Sequence, residues 1–205
     1  MKSLNKYINE ALSRSHSDRI NETLACSHGE HINKTLSRSQ SDRINEWKAN
    51  DINISNVSNL KNVDMSPKTK DDLRKAIAYV LTTDSDFSKI DTSSINDMSC
   101  LFDMSTNVLK EMYGVDLSGI EHLDLSCWDT SNVSDMHDMF NSCKTLKTLD
   151  ISGWDISKVW DMRYMFADCE NLESIYGFSD LDLSDVKDNQ MFTGCKKLLN
   201  SVKYV

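Results

Sequence analysis

A step of 26 residues runs through the second half of this chain and sets what it is able to fold into. Cys143, Cys169 and Cys195 keep that step, as do Met139-Phe140, Met165-Phe166 and Met191-Phe192, and so do Ile120, Leu146, Leu172 and Leu198. Residues 120–145 and 146–171 share 12 identities in 26 positions, among them Trp128/Trp154, Asp129/Asp155 and Asp135-Met136/Asp161-Met162. A fixed period in this range means stacked supersecondary units, each burying its apolar edge only against a neighbour. Arrays of that kind are usually binding surfaces.

Two periodicities are legible inside one unit. Leu146-x-x-Leu149-x-Ile151 reads as a short strand with a bend, matched by Ile120-x-x-Leu123-x-Leu125. Val133, Met136, Met139 and Phe140 then follow helical spacing, which predicts a short helix or helical turn. Between them, Asp129 and Asp155 are placed to bond the backbone two residues on, as turn aspartates do. The recurrent cysteines read as an inward ladder of small side chains kept as thiols. The third copy departs: Gly177 stands for Ile151, Asp180 for Trp154, and its helical part is one residue shorter. Residues 91–102 match 129–140 at an offset of 38, which is one unit plus a 12-residue insertion falling in 103–119.

Upstream, Ser66-Pro67-Lys68-Thr69-Lys70-Asp71-Asp72 carries helix-start chemistry, and Leu73, Ala76, Ile77, Val80 and Leu81 form one apolar stripe. This helix is expected to cap the array. Residues 12–47 hold a second repeat of 12 residues (LSRSHSDRINET, LACSHGEHINKT, LSRSQSDRINEW), read as short helical turns without a core on a mobile arm. The expected organisation is an arm over 1–48, a linker and capping helix over 49–90, and the array over 91–205.

Charge narrows the function classes. Residues 48–205 carry 16 Lys/Arg against 26 Asp/Glu. An acidic body lacks the basic stripe of a nucleic-acid binder. No apolar run approaches membrane-spanning length, and MKSLNKYINEAL has no secretory core. A monomer in an intracellular or virion-associated setting is expected.

The string Trp128-Asp-Thr-Ser-Asn-Val-Ser-Asp-Met-His-Asp-Met-Phe-Asn-Ser-Cys, continuing to Leu146-x-x-Leu149-Asp-Ile-Ser, resembles the BspA-like leucine-rich-repeat proteins over about 120–197, with a further match at 91–102. The resemblance implies an α/β fold, a short leucine-rich-repeat-like solenoid of 26-residue units, and a non-catalytic role in adhesion or protein interaction. Many such proteins are surface-displayed. The N-terminus Met1-Lys2-Ser3-Leu4-Asn5-Lys6-Tyr7-Ile8-Asn9-Glu10-Ala11 is similar to capsid-targeting peptides of tailed-phage internal proteins, which implies a packaged virion component as the alternative.

Partner-binding residues are expected in two groups. The strand edge offers Glu121, His122 and Asp124, then Lys147, Thr148 and Asp150, then Tyr176. The helical side offers the non-repeating Trp160, Arg163 and Tyr164, of the residue types that dominate interface energetics. Cys26-x-His28-x-x-His31 is confined to one 12-residue copy and reads as drift rather than a zinc site. His122 and His137 have acidic neighbours but no nucleophile legible beside them. Neither a catalytic set, a metal nor a cofactor is therefore expected, and the partner is a protein of unspecified identity.

Overall fold

The computed structural model describes residues 60, 62–83 and 85–201. The 12-residue repeats, the capsid-targeting likeness and the Cys26/His28/His31 cluster lie outside the described residues.

The first element is α1, Lys70–Thr82, whose N-cap is Thr69. The Thr69 hydroxyl accepts from the Asp72 backbone N–H, and the Asp72 carboxylate accepts from Thr69 N–H, a reciprocal capping box. Pro67 therefore lies before the helix rather than at its first turn. Leu73, Ala76, Ile77, Val80 and Leu81 are buried as their spacing predicts, and Ala78 joins them.

The expected fold class needs correction. In place of an α/β leucine-rich-repeat-like solenoid, the structure holds a small, open, three-stranded parallel sheet and little helix. The strands are β1 (His122–Asp124), β2 (Thr148–Asp150) and β3 (Ser174–Tyr176), in the order β1-β2-β3. Besides α1, the α-helices among the described residues are α2, Val108–Tyr113, and α3, Lys196–Ser201. None falls on 133–140 or 159–166, where helical spacing led us to expect one. The reason is where the backbone bonds go. Asp138 and Ser142 have φ of 55° and 61°, and Tyr164 and Asp168 have 58° and 56°, so the chain leaves the right-handed path every fourth residue. Its N–H groups then donate to a neighbouring segment: Asp138 N to Arg163 O at 3.0 Å, Phe140 N to Met165 O at 2.9 Å, Ser142 N to Ala167 O at 2.8 Å. Apolar residues three and four apart serve a left-handed kink as well as a helical turn, and spacing alone does not separate the two.

The 26-residue step survives as register. Leu123 pairs with Leu149 and Leu149 with Ile175 in the sheet. On the turn side, parallel bridges join Asp97 to Asp135, Asp135 to Asp161 and Asp161 to Lys187. The interior between the two ladders is apolar. Phe102, Phe140, Phe166 and Phe192 stack with centroids 5.3, 5.6 and 5.4 Å apart and rings within 9° of parallel. Each such contact adds about 0.5–1.5 kcal/mol beyond area burial. Cys143, Cys169 and Cys195 are buried, and their thiols donate to the carbonyls of Phe102, Phe140 and Phe166 at 3.2, 3.0 and 2.9 Å. The cysteine ladder is thus inward, and it is hydrogen-bonded as well as apolar. The Cys195 thiol is pushed up by burial; the Cys169 thiol is pushed up by a hydrogen bond with the Cys143 thiol and by burial.

The ends differ from the middle. The insertion forms α2, which packs against α1 and buries Leu109, Tyr113, Val115 and Leu117 while leaving Met112 exposed. In the last copy Gly177, at φ +81°, would place a Cβ 2.5 Å from the Ser152 Cα, so no larger residue fits. Phe178 then enters a short 3₁₀ turn, Phe178–Asp180, and packs edge-on against Phe166 and Phe192. The residue gained there is lost again before Lys187, where the bridge to Asp161 restores register. That accounts for the one-residue shortening seen in the sequence.

Candidate functional site

The turn ladder carries one side chain from each unit in columns, and the columns are where the units differ. One column reads Asp97, Asp135, Asp161, Lys187, as the bridges place them. The next reads Ser99, His137, Arg163, Asn189, and the third, all at positive φ, reads Cys100, Asp138, Tyr164, Gln190. Aspartates of the first column cap their own turns: Asp97 accepts from Ser99 N, Asp135 from His137 N and Asp161 from Arg163 N, at 2.9–3.0 Å. Asp129 and Asp155, the aspartates expected to bond the backbone two residues on, accept from Ser131 N and Ser157 N at 2.9 Å. Asp124 and Asp150 on the strand side do the same with Ser126 N and Ser152 N.

Around this shared backbone the side chains diverge. Arg163 grips Asp161 through Nε, at 2.9 and 3.0 Å to the two carboxylate oxygens, and through Nη2 at 2.5 Å. Burial pushes the Asp161 carboxyl up, but the Arg163 hydrogen bonds and charge outweigh it and hold the group below the ordinary range. Asp161 is itself buried, whereas the Arg163 side chain remains 45% exposed. Trp160 stands where Ser134 and Asn96 stand in the preceding units, its backbone N–H donating to Ser134 O at 3.0 Å. Trp160 is 47% exposed, and its ring carries the Lys187 ammonium 4.7 Å from the centroid. Tyr164 is 37% exposed; with Met112, these are the exposed large apolar side chains among the described residues.

One unit earlier the columns hold different chemistry. His137 Nδ1 lies 2.7 Å from Asp135 Oδ1, and its Nε2 lies 3.8 Å from Cys100 Sγ. Donor atoms of Cys100, His137 and Asp138 all fall within 4.8 Å of one another. Asp135, His137 and Asp161 form a second such group, but there His137 Nδ1 is taken by Asp135 and Asp161 by Arg163.

The strand-edge candidates lie on the other ladder and engage each other. Lys147 Nζ is 2.8 Å from Glu121 Oε2, and His122 Nδ1 is 2.7 Å from Thr148 Oγ1. Tyr176 sits in register with Asp150. The structure therefore keeps the two expected groups apart, on the sheet and on the turns. Missed in the sequence were Lys187 over Trp160 and the Cys100/His137/Asp138 grouping. The available signal was divergence at equivalent positions, Cys100 against Asp138 and Ser99 against His137.

Fold and surface together define a small parallel-sheet protein with a regular interior and a turn face that changes from one unit to the next. Residues 71–204 match the family described as Mycoplasma protein of unknown function, DUF285, and the chain belongs to that family. Neither a curated protein nor a solved structure matches it. No helix among the described residues is long and apolar enough to cross a membrane.

Proposed function

We propose that the protein is a non-catalytic protein-binding module whose contact is centred on Trp160, Arg163, Tyr164 and Lys187. The observation that carries this reading is the exposure of Trp160 and Tyr164 on a face whose equivalent positions elsewhere are small or polar. Leaving an indole in water where Ser134 suffices one unit earlier contributes nothing to the core, while a rigid aromatic beside a guanidinium is the usual energetic centre of an interface. Arg163 is held by the buried Asp161 and loses little freedom on binding, which lowers the ordering cost. Lys187 sets a positive charge over the indole on an otherwise acidic body. The partner is accordingly a protein segment bearing carboxylates, and the acidic body disfavours nucleic acid. The resemblance to BspA-like proteins supports an adhesion-type role.

The test is a photo-crosslinking residue placed at position 164, and separately at 147, in the full-length chain, followed by mass spectrometry and affinity measurement with the purified partner. Crosslinks from position 164 alone are expected. Trp160→Ala should then weaken binding by at least about 30-fold, the effect of a hot-spot truncation, with melting unchanged. Crosslinks from 147 alone, or full affinity in Trp160→Ala, would overturn the reading.

A further inference from the structure

The Cys100/His137/Asp138 grouping shares no residue with the contact just proposed and brings three different donor types together from two adjacent turns. We propose that Cys100 Sγ, His137 Nε2 and one Asp138 carboxylate oxygen form a zinc site with an open fourth position. Three features support it. The first is spacing. With Zn–S of about 2.3 Å and Zn–N of about 2.0–2.1 Å, tetrahedral angles hold the two donors about 3.6 Å apart, and Cys100 Sγ and His137 Nε2 are 3.8 Å apart. Cys100 N donates to His137 O at 3.0 Å, which fixes one turn against the next.

The second is orientation. His137 Nδ1 is bound to Asp135 Oδ1 at 2.7 Å, which turns Nε2 toward Cys100. A carboxylate behind a histidine in this way sets the tautomer that ligates zinc. The third is charge. One thiolate and one carboxylate neutralise Zn²⁺, and the thiol proton is released to solvent on binding. A soft sulfur with imidazole and a single carboxylate selects zinc over magnesium or calcium, which need all-oxygen shells. The open position is filled by water or an incoming ligand.

Zinc titration of the full-length chain tests the site, in a His16→Gln, Cys26→Ser, His28→Gln, His31→Gln background that removes the N-terminal histidine and cysteine donors. One saturable equivalent of Zn²⁺ is expected, with a binding heat that varies with buffer ionisation enthalpy as release of one proton requires. Cobalt alone, as the spectroscopic probe, should show a thiolate-to-metal band in the near ultraviolet that Cys100→Ser abolishes. Asp135→Asn, which retains the turn-capping oxygen, should weaken zinc by about 10- to 100-fold. If Cys100→Ser does not fold, Asp138→Asn provides the same comparison through affinity. Absence of saturable binding, persistence of the band in Cys100→Ser, or unchanged affinity in folded Asp135→Asn and Asp138→Asn overturns the proposal.

Discussion

The strand ladder and the turn ladder share one register yet solve different problems. In β1–β3 the backbone is extended, alternate residues point in and out, and exposed side chains answer each other across strands, as Lys147 does Glu121 and Thr148 does His122. On the turn side, left-handed residues at 100, 138, 164 and 190 reverse the chain, and Asp97, Asp135 and Asp161 cap the first three reversals. There the outward side chains are released from cross-strand pairing, and they diverge into a histidine–cysteine group, an arginine gripped by a buried aspartate and an exposed tryptophan. Regular pairing leaves little room for a new function on the strand edge. Backbone-capped turns leave their remaining side chains available for it.

The comparison breaks first where the ladders share a core. Cys169→Asp would place an unpaired carboxylate where the side chain is fully buried and faces the Phe140 carbonyl, itself an acceptor. We expect no cooperative thermal transition; a soluble variant melting with the wild type would show that the interior is not what joins the two ladders. Phe140→Ala interrupts the stack at its middle, between Phe102 and Phe166. Equilibrium unfolding should register a loss of about 3–5 kcal/mol, and a loss below about 1 kcal/mol would mean the rings stack without contributing much.

Smaller effects sharpen the difference. Asp138 is raised by burial and by Asp103, so its ionisation works against the folded state. A raised folded-state value contributes stability at low pH that is lost as pH rises through it. Asp138→Asn should therefore stabilise the metal-free protein at neutral pH and leave it unchanged below about pH 4, where the carboxyl is protonated in both states. Unfolding curves in chelator at pH 7 and pH 3.5 check the sign, and destabilisation at pH 7 would show that the Asp138 charge is favourably paired. Asp97 has the opposite dependence. Burial raises it, but Lys70 and Ser99 overcome that and hold it low, so its contribution is full above about pH 4 and disappears as acid protonates it. The smallest effect belongs to the strand edge: Lys147→Ala breaks a partly exposed ion pair and should cost about 0–1 kcal/mol. A larger loss would mean the strand ladder depends on its surface pairs as the turn ladder depends on its caps.

Much of this was legible in the chain. The apolar positions of α1, the inward cysteines, the aspartate turns and the place of the insertion at 103–119 all follow from spacing and residue type. The helix expected at 133–140 was misread because residues three and four apart face the same way in a helix and in a chain kinked by left-handed residues. Asp138, Ser142 and Tyr164 carry no glycine to announce the kink. Trp160, Arg163 and Tyr164 were legible as candidates because they break the repeat, whereas Cys100 and His137, 37 residues apart, meet only through the bridge between Asp97 and Asp135.

The sequence by itself determined the period, the identity of the buried positions and which residues cap the turns, because those depend on local chemistry repeated at a fixed interval. Only the tertiary structure decided that the repeated segments are turns rather than helices, and that a cysteine, a histidine and an aspartate share one surface. Both depend on which N–H bonds to which carbonyl in the neighbouring unit, and that choice is made between segments rather than within one.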